Sequence, residues 1–245
     1  MKASKGSCAM AVMGKASVPG RAKTRLIPEV GAEHAARLNT AFLQDITANL
    51  LLAGAEVPIS PYVAYGPAGA EHFFLDHLSA QVELFECSLP GFGDCLFQAI
   101  VTMLDRGHCA ACVVNADSPT LPTRYLIEAA AQLALPGDRV VLGPATDGGY
   151  YLLGLKAAHR RLFEDIAWST PSVAAQTRDR AADLGLELIS LEPWYDVDDG
   201  ASLRQLVAEL AQPGCASPEA SARYAAPMTR AALDGIFEQP LRAMA

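Results

Sequence analysis

The fold of this chain is decided by the segment Cys109-Ala-Ala-Cys-Val-Val-Asn-Ala-Asp117. Its apolar residues form a continuous run, without the polar alternation of a strand that has one face in water. The run therefore predicts a strand buried on both faces, and it ends close to the carboxylate of Asp117. Strands of this kind are typical of a parallel sheet that lies between helices.

Other apolar runs alternate with helical patterns on either side of this segment. Strands are predicted at residues 8–14, 57–65, 82–85, 109–116, 139–143, 150–155 and 186–191. Helices are predicted at residues 32–53, 70–78, 94–106, 123–135 and 201–210, with two short helices between 155 and 186. This order predicts an α/β fold in which a mostly parallel sheet has helices on both faces.

The length of the chain limits the number of domains. The chain has 245 residues, enough for one large domain, which we predict at residues 1–211. Residues 212–245 are rich in Ala and Pro and are predicted to form a partly helical tail packed on the domain.

The formal net charge of −8 argues against sequence-independent binding of DNA or RNA. Apolar runs are shorter than the roughly 18–20 residues of a membrane span, and we expect a cytoplasmic location.

Cys109 and Cys112 form a C-x-x-C pair, a spacing found in zinc and redox sites. Residues three apart on a strand point to opposite faces, so the two thiols are not expected to reach one metal. We therefore predict that they are reduced core cysteines.

The first predicted strand leads into a basic segment that contains two glycines, Met13-Gly-Lys-Ala-Ser-Val-Pro-Gly-Arg-Ala-Lys-Thr-Arg-Leu26. No acidic residue precedes Glu29, so positive charge is concentrated here, together with Lys2 and Lys5. Glycines let backbone amides approach phosphate oxygens, and Arg and Lys bind phosphate directly. The candidate phosphate-binding residues are Gly14, Lys15, Gly20, Arg21, Lys23, Thr24 and Arg25. The glycine spacing excludes a Walker-type P-loop, and an exposed basic turn is the alternative interpretation.

Two acidic motifs also follow predicted strands. Asp117 directly follows the strand at 109–116, and Asp196-Val-Asp198 follows the strand at 186–191. Carboxylates from two strand ends can hold Mg²⁺ or Mn²⁺ against phosphates. We predict Asp117 and Asp198 as metal ligands, with Asp196 as a further candidate, and Asp117, Asp198 and Lys23 as catalytic residues. Alternatively, Asp117 is a turn residue; Asp199 is expected only to cap the next helix.

A fourth segment, Asp147-Gly-Gly-Tyr150, combines close backbone approach with groups that bind hydroxyls. An Asp-Gly hairpin turn is the competing interpretation. Trp168 can offer an aromatic wall to a sugar, although Trp168-Ser-Thr-Pro171 can equally begin a helix. The predicted acceptor- or sugar-binding residues are Asp147, Gly148, Gly149, Tyr150 and Trp168.

All four motifs follow predicted strands. In open α/β sheets, ligands bind outside the carboxyl ends of the strands. The motifs are therefore expected to meet at one edge of the sheet and to form a single site.

Together the motifs resemble the DUF2064 family. The resemblance runs in order over residues 10–205 and rests on Gly14-Lys15, Pro19-Gly-Arg-Ala-Lys-Thr-Arg-Leu26, Ala116-Asp-Ser-Pro119, Gly143-Pro-Ala-Thr-Asp-Gly-Gly-Tyr-Tyr-Leu-Leu-Gly154, Trp168-Ser-Thr170 and Asp196-Val-Asp198. Members are described as nucleotide-diphospho-sugar transferases or radical-SAM-associated glycosyltransferases, related to phospholactate guanylyltransferases. The resemblance implies a Rossmann-like α/β/α sandwich with the GT-A-like nucleotide-diphospho-sugar transferase fold.

The resemblance also implies roles. Residues 15–25 would hold nucleotide phosphates, Asp117 and Asp198 would bind the metal, and residues 147–149 would face the transferred group or the acceptor. Two positions depart from the family's pattern. Ser17 stands where a proline is expected, which predicts a looser loop, and Asp199-Gly200 stands where a helix start containing Thr or Pro is expected.

The leading hypothesis is metal-dependent glycosyl transfer from a nucleotide-diphospho-sugar to a small acceptor. The alternative is a nucleotidyltransferase, in which an acceptor phosphate attacks a nucleoside triphosphate and pyrophosphate leaves. Both reactions need a cationic loop and a metal to stabilise charge on the leaving phosphate. A nucleotide-binding module without turnover is a second alternative.

Overall fold

A computed structural model of the chain describes residues 6–211 and 223–237. Its centre is a sheet of seven strands: β1 (Cys8–Lys15), β2 (Ile59–Gly66), β3 (Glu83–Glu86), β4 (Ala110–Val114), β5 (Arg139–Pro144), β6 (Tyr150–Leu155) and β7 (Glu187–Ser190). Their spatial order is β3-β2-β1-β4-β6-β5-β7. Only the pairs that include β6 are antiparallel, so the prediction of a mostly parallel sheet is confirmed.

Helices cover both faces of this sheet. They are α1 (Ile27–Val30), α2 (Ala32–Gly54), α3 (Glu71–His77), α4 (Phe92–Asp105), α5 (Thr123–Ala134), α6 (Val173–Asp183), α7 (Gly200–Ala211) and α8 (Pro227–Phe237). On one face, α2 and α5 bury side chains such as Ile46 and Leu126 against the strands. On the other, α4 and α6 bury Ile100 and Ala181. The predicted three-layer α/β/α architecture is therefore confirmed.

A third apolar cluster joins the helices beside the sheet. Phe42 of α2 packs with Leu206 of α7 and Leu233 of α8. Most of the predicted tail at 212–245 lies outside the described residues, as do Lys2 and Lys5. Within the described ranges, no helix has both the length and the apolar character that would let it cross a membrane.

The connections between strands create an opening at one edge of the sheet. β1 lies between β2 and β4. The chain moves from β1 to β2 on one side and returns to place β4 on the other. At such a reversal, the loops at the carboxyl ends of the two central strands diverge and leave a crevice for ligands.

The cysteine prediction is half right. Cys112 is buried in β4, and its Sγ lies 3.7 Å from Sγ of Cys8. Cys109, which we predicted in the core, is exposed because β4 begins one residue later. The two thiols therefore have different environments.

Candidate functional site

Two adjoining cavities open at the carboxyl ends of β1 and β4. We call the larger one, about 480 Å³, the acidic cavity, and the smaller one, about 250 Å³, the basic cavity. Both are lined by Met13, Arg25, Ala116, Asp117 and Asp198. The acidic cavity adds Asp147, Gly149, Tyr150, Trp168 and Asp196. The basic cavity adds Lys15, Arg21, Lys23 and Thr24. The four sequence motifs thus meet at one place.

Lys23 joins the two acidic motifs. Its Nζ lies 2.7 Å from Oδ1 of Asp117 and 3.0 Å from Oδ1 of Asp198, and it donates to the carbonyl oxygen of Val197 at 2.7 Å. Burial alone would lower the pKa of this ammonium group, but attraction to the two carboxylates outweighs burial and raises it. Lys23 is therefore a charged bridge between β4 and the segment before α7.

The loop that carries Lys23 is firmly held. The side-chain amide of Asn39 on α2 donates to the carbonyl oxygen of Lys15 at 3.0 Å and to Oγ of Ser17 at 2.8 Å. The Thr40 hydroxyl also donates to Ser17 at 2.8 Å. Ser17 therefore accepts two hydrogen bonds from α2, and the looser loop expected from this residue stays a prediction.

The predicted phosphate-binding residues fall into two groups. Lys15, Arg21, Thr24 and Arg25 are exposed and line the basic cavity. Gly14 and Gly20 line neither cavity. Gly14 is buried, and a Cβ there would lie 2.7 Å from Cγ1 of Val63. The structure thus gives Gly14 a packing role between β1 and β2, and it places Gly20, with a φ of +77°, in an exposed turn.

Burial and neighbouring carboxylates change the pKa of Asp196 in the acidic cavity. Burial, followed by the charges of Asp147 and Asp198, raises the pKa of Asp196 to about 6. Asp199 has a different role: its Oδ1 accepts a hydrogen bond from the backbone N–H of Ser202 at 2.9 Å. This confirms that Asp199 caps α7, as the sequence indicated.

Asp147 lies in the hairpin loop between β5 and β6. Its Oδ1 accepts a hydrogen bond from the backbone N–H of Gly149 at 2.8 Å, and Gly148 has a φ of +94°. A Cβ on Gly148 would lie 2.0 Å from the carbonyl oxygen of Pro171. The hairpin interpretation is therefore correct, and the same turn also brings Asp147 and Gly149 to the acidic cavity.

Trp168 forms part of an apolar wall. Its ring meets that of Phe92 edge to face, with centroids 5.3 Å apart. A Cβ on Gly93 would lie 2.7 Å from the indole Nε1, so this glycine leaves the space that the ring fills. Helix α6 begins only at Val173. The interpretation of Trp168-Ser-Thr-Pro171 as a helix start with Pro171 inside is therefore wrong.

The site contains carboxylate oxygens that suit a divalent metal ion bound together with a substrate phosphate. Among residues 6–211 and 223–237, no three His, Cys, Asp or Glu side chains are grouped so that they could hold a metal ion. Asp117 and Asp198 nevertheless supply hard oxygen donors beside a basic cavity. Mg²⁺ commonly takes one or two carboxylates and completes its shell with phosphate and water. These residues fit such an ion.

Several residues of the site were not predicted from the sequence. Phe92 and Asn115 line the acidic cavity, and Asn39 holds the basic loop. Asn39 could have been found, because a buried amide on the apolar face of a helix needs a partner. Phe92 gave no comparable signal, since an aromatic residue at a helix start usually packs in the core.

The DUF2064 family model, described as an uncharacterized protein conserved in bacteria, matches residues 49–170. The predicted resemblance to this family is therefore confirmed. The matched range contains Asp117, Asp147 and Trp168.

Solved structures extend the likeness along the chain. A candidate nucleotide-diphospho-sugar transferase from Desulfovibrio desulfuricans G20 is 26% identical with a TM-score of 0.80, covering 97% of this chain and 98% of that one. A CMP:2-keto-3-deoxy-manno-octonic acid synthetase complexed with CTP is 12% identical with a TM-score of 0.56, covering 84% and 99%. A 4-diphosphocytidyl-2C-methyl-D-erythritol synthase from Anaerococcus prevotii DSM 20548 is 10% identical with a TM-score of 0.52, covering 85% and 97%.

Of the curated proteins, none matches the chain in sequence. The structural likenesses confirm the predicted fold class, and they support the prediction of a transferase-like enzyme.

Proposed function

From the DUF2064 match and the paired cavities, we propose that this chain is a metal-dependent transferase that uses a nucleotide-activated donor. In this proposal it moves a glycosyl group from a nucleotide-diphospho-sugar to a small acceptor. The observation that carries the proposal is the junction of the basic cavity with the acidic cavity at Asp117 and Asp198. A diphosphate needs the basic cavity, and the group attached to the diphosphate needs a second cavity directly beside it.

The basic cavity would hold the diphosphate. Lys15, Arg21 and Arg25 present exposed cations there, and charge-assisted hydrogen bonds to phosphate are about twice as strong as neutral ones. A third cavity, about 570 Å³, shares Lys15 and Arg21 and is otherwise lined by mostly apolar residues, including Val18 and Leu89. This third cavity adjoins the basic cavity and would hold the nucleoside.

Asp117 and Asp198 would hold Mg²⁺ or Mn²⁺ together with phosphate oxygens. Such an ion supplies Lewis acidity that stabilises negative charge on a leaving diphosphate. Lys23 would keep the two carboxylates together, since its ammonium group contacts both. Arg25, whose guanidinium nitrogen lies 3.5 Å from Oδ2 of Asp198, would place a further positive charge beside the same phosphate.

The acidic cavity would hold the transferred sugar or the acceptor. Among the residues that line it, Asp147 and Tyr150 supply polar groups and Trp168 supplies an apolar surface. A cytoplasmic location stays a prediction.

A second candidate function shares these residues. A nucleotidyltransferase that releases pyrophosphate would also use the cations of the basic cavity. The fold favours keeping this candidate, because one of the structural neighbours is a synthetase complexed with CTP. The two functions differ in their products.

The test is to identify the released product. The protein is incubated with Mn²⁺, nucleotide sugars or nucleoside triphosphates, and a pool of hydroxylated and phosphorylated acceptors, and the products are identified by mass spectrometry. Nucleoside diphosphate with a glycosylated acceptor supports the proposal, whereas pyrophosphate with a nucleotidylated acceptor overturns it in favour of the second candidate. Asp117→Asn should abolish turnover. Asp138→Asn is the matched control, because Asp138 precedes β5 at the opposite edge of the sheet and pairs with His159.

Binding without any product would instead indicate a nucleotide-binding module. In that case Asp117→Asn and Asp138→Asn should be equally inactive, and only their affinities for nucleotides should differ.

A further inference from the structure

The acidic cavity and the basic cavity have opposite charge. The acidic cavity has four carboxylates and one cation among its described lining residues, namely Asp117, Asp147, Asp196, Asp198 and Arg25. The basic cavity has four cations and two carboxylates, namely Lys15, Arg21, Lys23, Arg25, Asp117 and Asp198. Lys23 contacts Asp117 and Asp198, which leaves Asp147 and Asp196 to repel a second anionic group from the acidic cavity. The phosphates of a nucleotide are attracted to the basic cavity.

Two residues that line the acidic cavity also carry buried polar atoms that lack a partner. Asn115 and Tyr150 both line it. The Asn115 Oδ1 and the Tyr150 hydroxyl are buried, and no hydrogen-bond partner for either occurs in the described part of the chain. A buried polar group without a partner lowers the stability of the fold. A ligand that completes both bonds would remove this cost.

The chemistry of the two atoms is complementary. The Asn115 amide oxygen accepts a hydrogen bond, and the Tyr150 hydroxyl can donate one. Burial raises the pKa of Tyr150 well above its ordinary value, so the hydroxyl keeps its proton. Groups that both donate and accept, such as alcohols, satisfy an arrangement of this kind.

The position of both residues is fixed by the fold. The backbone N–H of Asn115 donates to the carbonyl oxygen of Tyr151 at 2.9 Å, which continues the pairing of β4 with β6. Asn115 therefore directly follows β4, and Tyr150 is the first residue of β6. Both residues are anchored to central strands, which hold a binding group more precisely than a free loop does.

We propose that the acidic cavity selects an unphosphorylated, hydroxyl-rich group of the sugar class, and that Asn115 and Tyr150 recognise its hydroxyls while Phe92 and Trp168 pack against its apolar face. This inference rests on the proposed function and deepens it. It assigns the cavity to a neutral sugar group and excludes a sugar phosphate. Asn115 and Tyr150 are then specificity-determining residues.

The experiment has two independent parts. Binding of UDP and GDP in the presence of Mn²⁺, measured by calorimetry, tests the nucleotide site. Binding of glucose, mannose, N-acetylglucosamine and glucose 1-phosphate at millimolar concentration, measured by saturation-transfer NMR on the nucleotide-free protein, tests the acidic cavity. We expect at least one neutral sugar to bind and glucose 1-phosphate to bind more weakly.

Tyr150→Phe removes only the hydroxyl, and we expect it to weaken sugar binding by about fivefold, the loss typical of one hydrogen bond. Its thermal stability should stay unchanged or rise, because the lost hydroxyl has no partner. Tyr62→Phe is the matched control. Its hydroxyl lies 2.9 Å from Nε2 of His108, so this variant should lose thermal stability and keep sugar binding. Asn115→Ala should behave like Tyr150→Phe in the sugar assay.

Failure of this inference and failure of the proposed function give different results. Preference for glucose 1-phosphate, absence of any sugar binding, or unchanged sugar binding in Tyr150→Phe would overturn the inference, even where UDP or GDP binds. Sugar binding that depends on Tyr150 would support the inference, even if neither nucleotide binds and the proposed function fails.

Discussion

At the scale of single residues, Lys23 is the centre of the site. An ammonium group has three donors, and Lys23 meets three oxygens, those of Asp117, Asp198 and Val197. Its φ of +47° is uncommon for a residue with a side chain. The fold thus accepts local backbone strain to place one buried cation between two carboxylates.

We expect Lys23→Met to lower the free energy of unfolding by about 2 kcal/mol. Removing one partner of a fully buried ion pair costs roughly 3–5 kcal/mol, but Asp117 and Asp198 are 34% and 35% exposed, so water screens the carboxylates that remain. Mn²⁺ should stabilise this variant more than the wild type, because the ion can replace the lost cation. Denaturant unfolding with and without Mn²⁺ measures both effects.

Arg25→Met is the control for Lys23→Met. The Arg25 side chain is 70% exposed, and its guanidinium lies 3.5 Å from Asp198. Exposed ion pairs of this kind contribute about 0–1 kcal/mol. Equal destabilisation by the two substitutions would contradict the central role of Lys23.

His108 predicts how stability depends on pH. It is 5% exposed, and its ring nitrogens lie 2.7 Å from the Ser7 hydroxyl and 2.9 Å from the Tyr62 hydroxyl. Burial lowers the pKa of His108, with Arg106 adding to this effect and Glu83 opposing it. The unfolded chain therefore takes up a proton first as pH falls.

The stability that His108 contributes should be present above its unfolded pKa of about 6.5 and should be lost as pH falls below that value and through the lower pKa of the folded state. Wild-type protein should lose more stability between pH 7 and pH 5 than His108→Gln. His72→Gln is a suitable control, because His72 is exposed on α3. Parallel pH profiles for wild type and His108→Gln, measured by chemical denaturation, would refute the assignment.

At the scale of elements, sequence periodicity predicted most strands and helices, because it follows from burial of one or both faces. The predicted helix at 123–135 and the observed α5 (Thr123–Ala134) differ by one residue. The contacts within the site could not be predicted in the same way. Lys23 and Val197, for example, are 174 residues apart in sequence, and periodicity carries no information about which loops meet.

The same limit applies to glycines. Gly14 was predicted to bind phosphate because it stands in a basic segment, but Val63 fills the space beside it. A glycine in a sequence shows that a Cβ is absent. The neighbour that requires this absence, whether ligand or side chain, belongs to another element and is known only from the fold.

The link between α2 and α8 is a second case of contact between distant elements. Asp45 on α2 is fully buried, and its carboxylate accepts hydrogen bonds from the backbone N–H groups of Met228 at 3.1 Å and Thr229 at 2.7 Å. These amides belong to the first turn of α8 and have no partner within that helix. Asp45 thus caps a helix from a different part of the chain.

Asp45→Ala should destabilise the protein by about 1–2 kcal/mol, the range of N-cap losses. The loss should be local, so amide hydrogen exchange should accelerate in α8 more than in β1 or β4. Asp45→Asn keeps one acceptor oxygen and should lose less. Uniform acceleration over the whole chain would show that Asp45 supports the global core instead.

At the scale of the whole molecule, charge is organised to separate two parts of one ligand. The chain carries a formal net charge of −8, yet Lys15, Arg21 and Arg25 are concentrated at the end of β1. The acidic motifs come from β4, from the β5–β6 hairpin and from the segment before α7. The sheet therefore brings opposite charges to adjoining cavities, and Lys23 connects them.

This arrangement predicts that nucleotide binding depends on a divalent ion. Without one, Asp117 and Asp198 repel the phosphates that the basic cavity attracts. UDP or GDP at about 100 times its Kd should stabilise the fold by about 2.7 kcal/mol with Mn²⁺, which corresponds to a rise in Tm of about 5–10 °C for a protein of this size. EDTA should abolish the rise in wild type, and Asp117→Asn should show little rise with Mn²⁺. An undiminished rise in EDTA would mean that the cations alone hold the phosphates and that Asp117 and Asp198 bind no metal.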